Sequence, residues 1–148
     1  MEFNKTRLVI VMSDFNISIT NSMKEAAIKH FLSVGGESDN INVINVPGAF
    51  EIPGAVSGVI KKGNADIIVA IGCVIEGETP HFDYIATETA RAIMNMTIKN
   101  DIPIGFGVLT TNNMQQALER SKNNDSNKGK EAMIAALDMF SIYKEINS

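Results

Sequence analysis

A chain of 148 residues, 45% of them hydrophobic and 20% charged, has the make-up of one ordinary globular domain, long enough to bury roughly two thirds of the surface its unfolded form exposes. The formal net charge of −4 and the lack of any Lys/Arg cluster argue against a nucleic-acid partner, and the apolar runs are too short to cross a bilayer. The lone Cys73 cannot form an intrachain disulfide, and MEFNKTRLVIVM lacks the basic flank and long apolar stretch of a leader, so a reducing, cytoplasmic compartment is expected.

Arg7 to Met12, RLVIVM, is a short apolar run that opens into the polar set Ser13, Asp14, Phe15 and Asn16, as a first strand running into a loop does. From Asn21 to Val34, apolar Met23, Ala26, Ala27, Phe31 and Val34 recur at helical spacing, and Gly35-Gly36 supplies the stop. Ile41 to Val46 reads as a second strand closed by Pro47-Gly48. A helix then runs from near Phe50 to Gly63, with Pro53 tolerable because it falls in the first turn. The β-branched run from Asp66 passes two glycines and reaches Thr79-Pro80 just before a helix expected to continue to about Lys99. Ile102 to Leu109 is a fourth strand, and Thr110 to Asn113 cap the short helix MQQALERS. The polar stretch KNNDSN leads through Lys128 and Gly129 into the last helix, EAMIAALDMFSIYKEI.

No internal repeat or linker interrupts this alternation, so residues 1–148 form a single domain. Strands alternating with helices call for right-handed crossovers and a parallel sheet covered on both faces. The expected fold is a three-layer α/β/α sandwich on a four-stranded parallel sheet, flavodoxin-like in type. Such sheets bind ligands outside the carboxyl ends of their strands. Phe15 follows the first strand, Ala49-Phe50-Glu51 the second and Gly77 to His81 the third, with Phe106 and Thr110 toward the end of the fourth. The Thr79-Pro80 turn suits an anion: Thr79 can cap with its hydroxyl, Pro80 fits the first helical position, and the free N–H groups of the first turn point outward. His81, a side-chain type suited to moving protons, stands within that turn.

Three blocks, VPGAFEIPGAV at 46–56, IGCVIEGETPHFDYIATE at 71–88 and FGVLTTNNMQQALERS at 106–121, resemble the signature segments of the lumazine synthase family. SDFN at 13–16 and SNKG at 126–129 fit its outer motifs, so the resemblance spans essentially the whole chain. It implies condensation of 5-amino-6-(D-ribitylamino)uracil with 3,4-dihydroxy-2-butanone 4-phosphate, without a metal or organic cofactor. By the same resemblance Phe15 stacks on the pyrimidine, Ala49, Phe50 and Glu51 hold the pyrimidine and its ribityl chain, and Cys73, Val74 and Ile75 line the heterocycle pocket through backbone groups. Glu78 and Thr79 take the butanone phosphate, and His81 transfers protons. Phe106 closes the ring pocket from an adjacent subunit, and Arg120 binds the phosphate across the subunit boundary, with Lys128 the lesser candidate. The implied partners are small-molecule substrates and other copies of the chain, as a pentamer or its multiples with sites at the interfaces; riboflavin synthase is a further candidate, and neither nucleic acid nor membrane is expected.

Two features depart from the family pattern. Glu76 stands where members often carry a basic residue after the Val-Ile pair, and little chain precedes the first strand. Read without the resemblance, His81 is a solvated residue of a helix start, Phe15, Phe50 and Phe106 are core aromatics, and Glu51 is an exposed first-turn acid. Likewise Cys73 is inert packing, and Arg120 and Lys128 are surface charges; His30, on the first helix, keeps that plain reading in either case. The same architecture also hosts flavin carriers without catalysis, although SDFNIS lacks the glycine-rich phosphate loop expected of one. A structural shell subunit is a third reading.

Overall fold

A computed structural model describes residues 3–148; Met1 and Glu2, on which the reading of the N-terminal segment partly rests, lie outside the described residues. Four strands, β1 (Leu8–Ser13), β2 (Ile41–Val46), β3 (Ile67–Ile75) and β4 (Ile104–Thr111), form one sheet in the order β2-β1-β3-β4. All neighbours are parallel. The helices α1 (Ile17–Ser33), α2 (Ile52–Lys62), α3 (His81–Lys99), α4 (Met114–Arg120) and α5 (Lys128–Ile146) occupy the crossovers and the C-terminus. The three-layer, four-stranded, flavodoxin-like architecture read from the alternation is the one observed.

Each strand splits its side chains between two cores, as a parallel sheet covered on both faces requires. Leu8, Ile10, Met12, Ile67, Val69 and Ile71 pack on α1 and α5 with Met23, Phe31, Met133 and Leu137. Val9, Val11, Ile68, Ala70 and Val108 pack on α2 and α3 with Ile52, Val56 and Ile93. The first core is the better covered. Helix α1 buries six residues, four of them in that core, whereas the longer α3 buries only Thr89 and Ile93 and leaves Tyr84, Met94 and Ile98 exposed.

Several boundaries differ from the sequence reading. Helix α1 starts four residues early, because Asn16 adopts a left-handed backbone (φ 60°, ψ 48°) from which the chain turns at once into the helix. Helix α5 starts at Lys128, since the Asn127 side chain accepts the N–H groups of Gly129 and Lys130. Thr79 does not cap α3: Pro80 holds the N-cap position, without a side-chain cap, and His81 is the first helical residue. The Ala49–Glu51 segment is a turn of 3₁₀ helix ahead of α2, and Pro53 sits in the first turn as expected.

The amino ends of β1 and β3 are clamped by Arg7, whose backbone N–H and guanidinium both donate to the Asp66 carboxylate at 2.8–3.1 Å. That guanidinium holds the Asp66 carboxyl below its ordinary value of 3.8. The contribution is therefore present above about pH 4 and is lost as pH falls through the lowered value. Asp66→Asn should lower stability to urea at pH 6, and its difference from the parent should shrink as pH falls below about 4.

Gly129 tests the packing of α1 on α5. A Cβ there would run into the Met23 backbone carbonyl, which cannot swing aside as a side chain does. Gly129→Ala should cost about 1–3 kcal/mol, lowering the urea midpoint by roughly 1 M. Gly58→Ala, in open space on α2, should stabilise by up to about 1 kcal/mol.

Candidate functional site at the carboxyl rim

The chain leaves β1 for β2 on one side and returns to β3 on the other, so the sheet's switch point lies between β1 and β3. Ligands of open α/β sheets bind in the crevice this creates. Here a pocket of about 600 Å³ opens there, lined by residues of all three preceding loops: Phe15; Ala49, Phe50 and Glu51; and Thr79 and His81.

Its floor comes from unequal strand lengths. β1 pairs with β3 only as far as Met12↔Ile71, whereas β4 follows β3 to Ile75↔Thr111. Beyond the last β1 pair, Cys73 to Ile75 therefore have a strand neighbour on one side only, and these three residues line the pocket. Backbone polar groups cannot be left buried and unpaired without cost. The Asn16 side-chain amide already donates to the Cys73 carbonyl at 3.2 Å, and a flat heterocycle carrying donors and acceptors along one edge would serve the remainder of this edge as a missing strand does.

The walls carry the aromatic residues. Phe15 is 71% exposed and Phe50 57%, so neither is a core ring. Both nevertheless stand on well-anchored backbone. Asp14 and Phe15 donate their N–H groups to Val46 and Pro47, extending the β1–β2 ladder into the loop, and the Thr89 hydroxyl reaches from α3 to the Ala49 carbonyl at 3.4 Å. The Glu51 carboxylate folds back over Gly48. On the far wall Gly77, Thr79 and His81 lead into α3, and Phe82 and Ile85 of that helix also line the pocket. The N–H groups of that helix's first turn have no intrahelical acceptors except where Asp83 reaches Pro80, so this wall is suited to an anion.

Nine of the sequence candidates thus line one cavity: Phe15, Ala49, Phe50, Glu51, Cys73, Val74, Ile75, Thr79 and His81. Glu78 lies between two lining residues without lining the pocket itself. Three candidates stand apart. Phe106 is the third residue of β4, paired with Ala70, so it lies well below the rim rather than toward the strand's end, 46% exposed on the open edge. Arg120 ends α4 with its guanidinium donating to the Gln116 carbonyl, and Lys128 starts α5 paired to Glu131 at 2.8 Å. None of the three lines this pocket. Sequence reasoning assigned no site role to Phe82 or Ile85; Ile85 lies one helical turn after His81, the i,i+4 spacing that could have found it.

Two other candidates keep plain readings. His30 is half-buried on α1, where burial and Lys130 push its pKa down against the pull of Asp138. The Cys73 side chain turns into the α1 core, and burial pushes its thiol up to about 11.

The family model described as 6,7-dimethyl-8-ribityllumazine synthase matches residues 5–144. Among curated proteins, the 6,7-dimethyl-8-ribityllumazine synthase of Nautilia profundicola is 46% identical over 140 residues, 95% of this chain and 91% of its own. That of Campylobacter hominis is 44% identical over 144 residues, covering 97% and 92%. The protein of the same name from Campylobacter jejuni is 42% identical over 143 residues, covering 97% and 93%.

The Cys73 environment yields a direct check on the floor. At pH 8 the folded protein should resist alkylation by iodoacetamide, and the thiol should react fully once the chain is unfolded in urea. Rapid labelling of the folded chain would mean that the end of β3 is open to solvent.

Proposed function

The chain belongs to the 6,7-dimethyl-8-ribityllumazine synthase family, and from that membership we propose how its rim pocket divides the work of the reaction. The protein is an enzyme of riboflavin biosynthesis, a transferase that joins 5-amino-6-(D-ribitylamino)uracil to 3,4-dihydroxy-2-butanone 4-phosphate. The products are 6,7-dimethyl-8-ribityllumazine, phosphate and water. An amine attacks the ketone and loses water to give an imine, phosphate leaves, and a second amine closes the ring on the remaining carbonyl with loss of another water. Every step relocates a proton, and none needs an electron carrier.

The observation that carries the assignment of parts is the strand-free edge of β3 flanked by Phe15 on one side and the start of α3 on the other. The pyrimidine lies with its polar edge on the backbone of Cys73, Val74 and Ile75 and its face on Phe15. Ala49, Phe50 and Glu51 hold the pyrimidine and its ribityl chain. Glu78 and Thr79 present the α3 N-terminus to the butanone phosphate, through backbone N–H groups. His81, one residue into the helix, moves protons between the reacting nitrogen and oxygen atoms and the leaving phosphate. Holding two reactants face to face supplies much of the acceleration by removing their relative freedom in advance.

Phe106, Arg120 and Lys128 complete the site from a neighbouring copy of the chain. That none of them lines this chain's own pocket supports that reading, as does the exposed α3 surface bearing Tyr84, Met94 and Ile98. The working form is then a homo-oligomer, a pentamer or a multiple of it, in the cytoplasm. Arg120 is the principal phosphate ligand, its planar fork matching phosphate oxygens as Lys cannot; Lys128, already paired with Glu131, is secondary.

Mixing the purified protein with both substrates should produce lumazine fluorescence and stoichiometric phosphate; a non-catalytic flavin or lumazine carrier would release neither. His81→Ala should lower kcat by about 10²-fold with little change in either KM. Arg120→Lys should raise the KM for the butanone phosphate by about 10-fold and leave that for the pyrimidine unchanged. Dissociating His81→Ala and Arg120→Ala proteins together and reassembling them should restore activity above that of either alone. A monomer with full turnover would contradict the shared site.

A further inference from the structure

The loop that presents Phe15 is pinned at every residue. The Ser13 carbonyl accepts the Thr20 hydroxyl at 2.8 Å, the Asp14 carboxylate accepts Asn45 Nδ2 at 2.7 Å, and the Phe15 N–H donates to Pro47. The contacts of Asp14 and Phe15 tie the loop to β2 and the turn after it. Only Asn16 reaches the other way, donating its side-chain amide to the Cys73 carbonyl of β3 at 3.2 Å.

Asn16 is also the one non-glycine residue with positive φ among the described residues. It occupies the N-cap of α1, where an Asn side chain ordinarily accepts a helix N–H, yet it makes no such bond. Its backbone carbonyl serves the helix instead, accepting from Ile19 and Thr20. A residue type that tolerates the left-handed region is thus used there with its amide diverted to the pocket floor. Phe15 meanwhile remains 71% exposed, with little packing to hold its ring.

We infer that Asn16 is a positioning residue for pyrimidine binding, its left-handed backbone and its bond to the Cys73 carbonyl fixing Phe15 at stacking height over the open edge of β3. The inference rests on the reading of Phe15 as the stacking ring. Asn16 acts through that ring, so its effect disappears when the ring is removed.

The test is a double-mutant cycle on Phe15→Ala and Asn16→Gly, read as KM for the pyrimidine, KM for the butanone phosphate, and urea midpoint. Glycine keeps the left-handed backbone accessible and removes only the amide. Asn16→Gly should raise the pyrimidine KM about 10-fold, leave the butanone-phosphate KM within twofold, and add nothing further in the Phe15→Ala background. Asn16→Ala, which also loses the easy left-handed backbone, should act in the same direction and further. Should the glycine variant not fold, Asn16→Asp, without the donor, is read in its place. Additive effects would make Asn16 act independently of the ring, and equal rises in both KM values with a lower midpoint would make it merely structural; either overturns the inference. An unchanged pyrimidine KM in Asn16→Gly beside a raised one in Phe15→Ala overturns it while leaving the stacking reading intact. An unchanged value in Phe15→Ala removes both.

Discussion

The pocket exists because β3 runs past β1. Where β1 ends and its chain turns into α1, β3 continues with β4 still at its other side, so one edge of Cys73–Ile75 is left without a strand. In a sheet interior this would be a defect, and at a sheet edge an invitation to aggregate. At a switch point, between two departing loops, it becomes a recognition surface of backbone groups whose positions are fixed by the sheet rather than by flexible side chains. The apolar cores above and below hold the strand so that its end cannot drift.

Around that edge the chain places functions according to what each element can hold rigidly. Aromatic rings sit on loops tied down by backbone hydrogen bonds, and the anion-competent wall is a helix start of a 19-residue helix. The local charges, however, are mostly acidic: Asp14, Glu51, Glu76 and Glu78 stand at or near the rim. A phosphate at the start of α3 thus benefits from helix N–H groups but from no cation of its own loop. In the proposed reading the compensating charge comes from Arg120 of another copy, which makes assembly part of the chemistry rather than an accessory to it.

Much of this was legible before any coordinates. The β-branched runs, the glycine and proline stops and the helical spacing of Met23, Ala26, Ala27 and Phe31 mark the elements, and strand-end reasoning picked out Phe15, Phe50 and His81 because each stands in the short segment between an apolar run and the next helix. What was hidden depends on backbone geometry that neighbouring side chains do not announce. The left-handed Asn16 moved the start of α1, Pro80 took a cap position expected of Thr79, and Phe106 fell mid-strand because β4 runs on to Thr111. Above all, the overhang of β3 is a difference between two strand lengths, and no single stretch of sequence contains it.

The most direct measurement is a crystal structure of the protein with its product, 6,7-dimethyl-8-ribityllumazine, bound. The account predicts the heterocycle flat against Phe15 with its polar edge hydrogen-bonded to backbone groups of the Cys73–Ile75 segment. A heterocycle held by side chains alone, or lying away from the carboxyl end of β3, would contradict it.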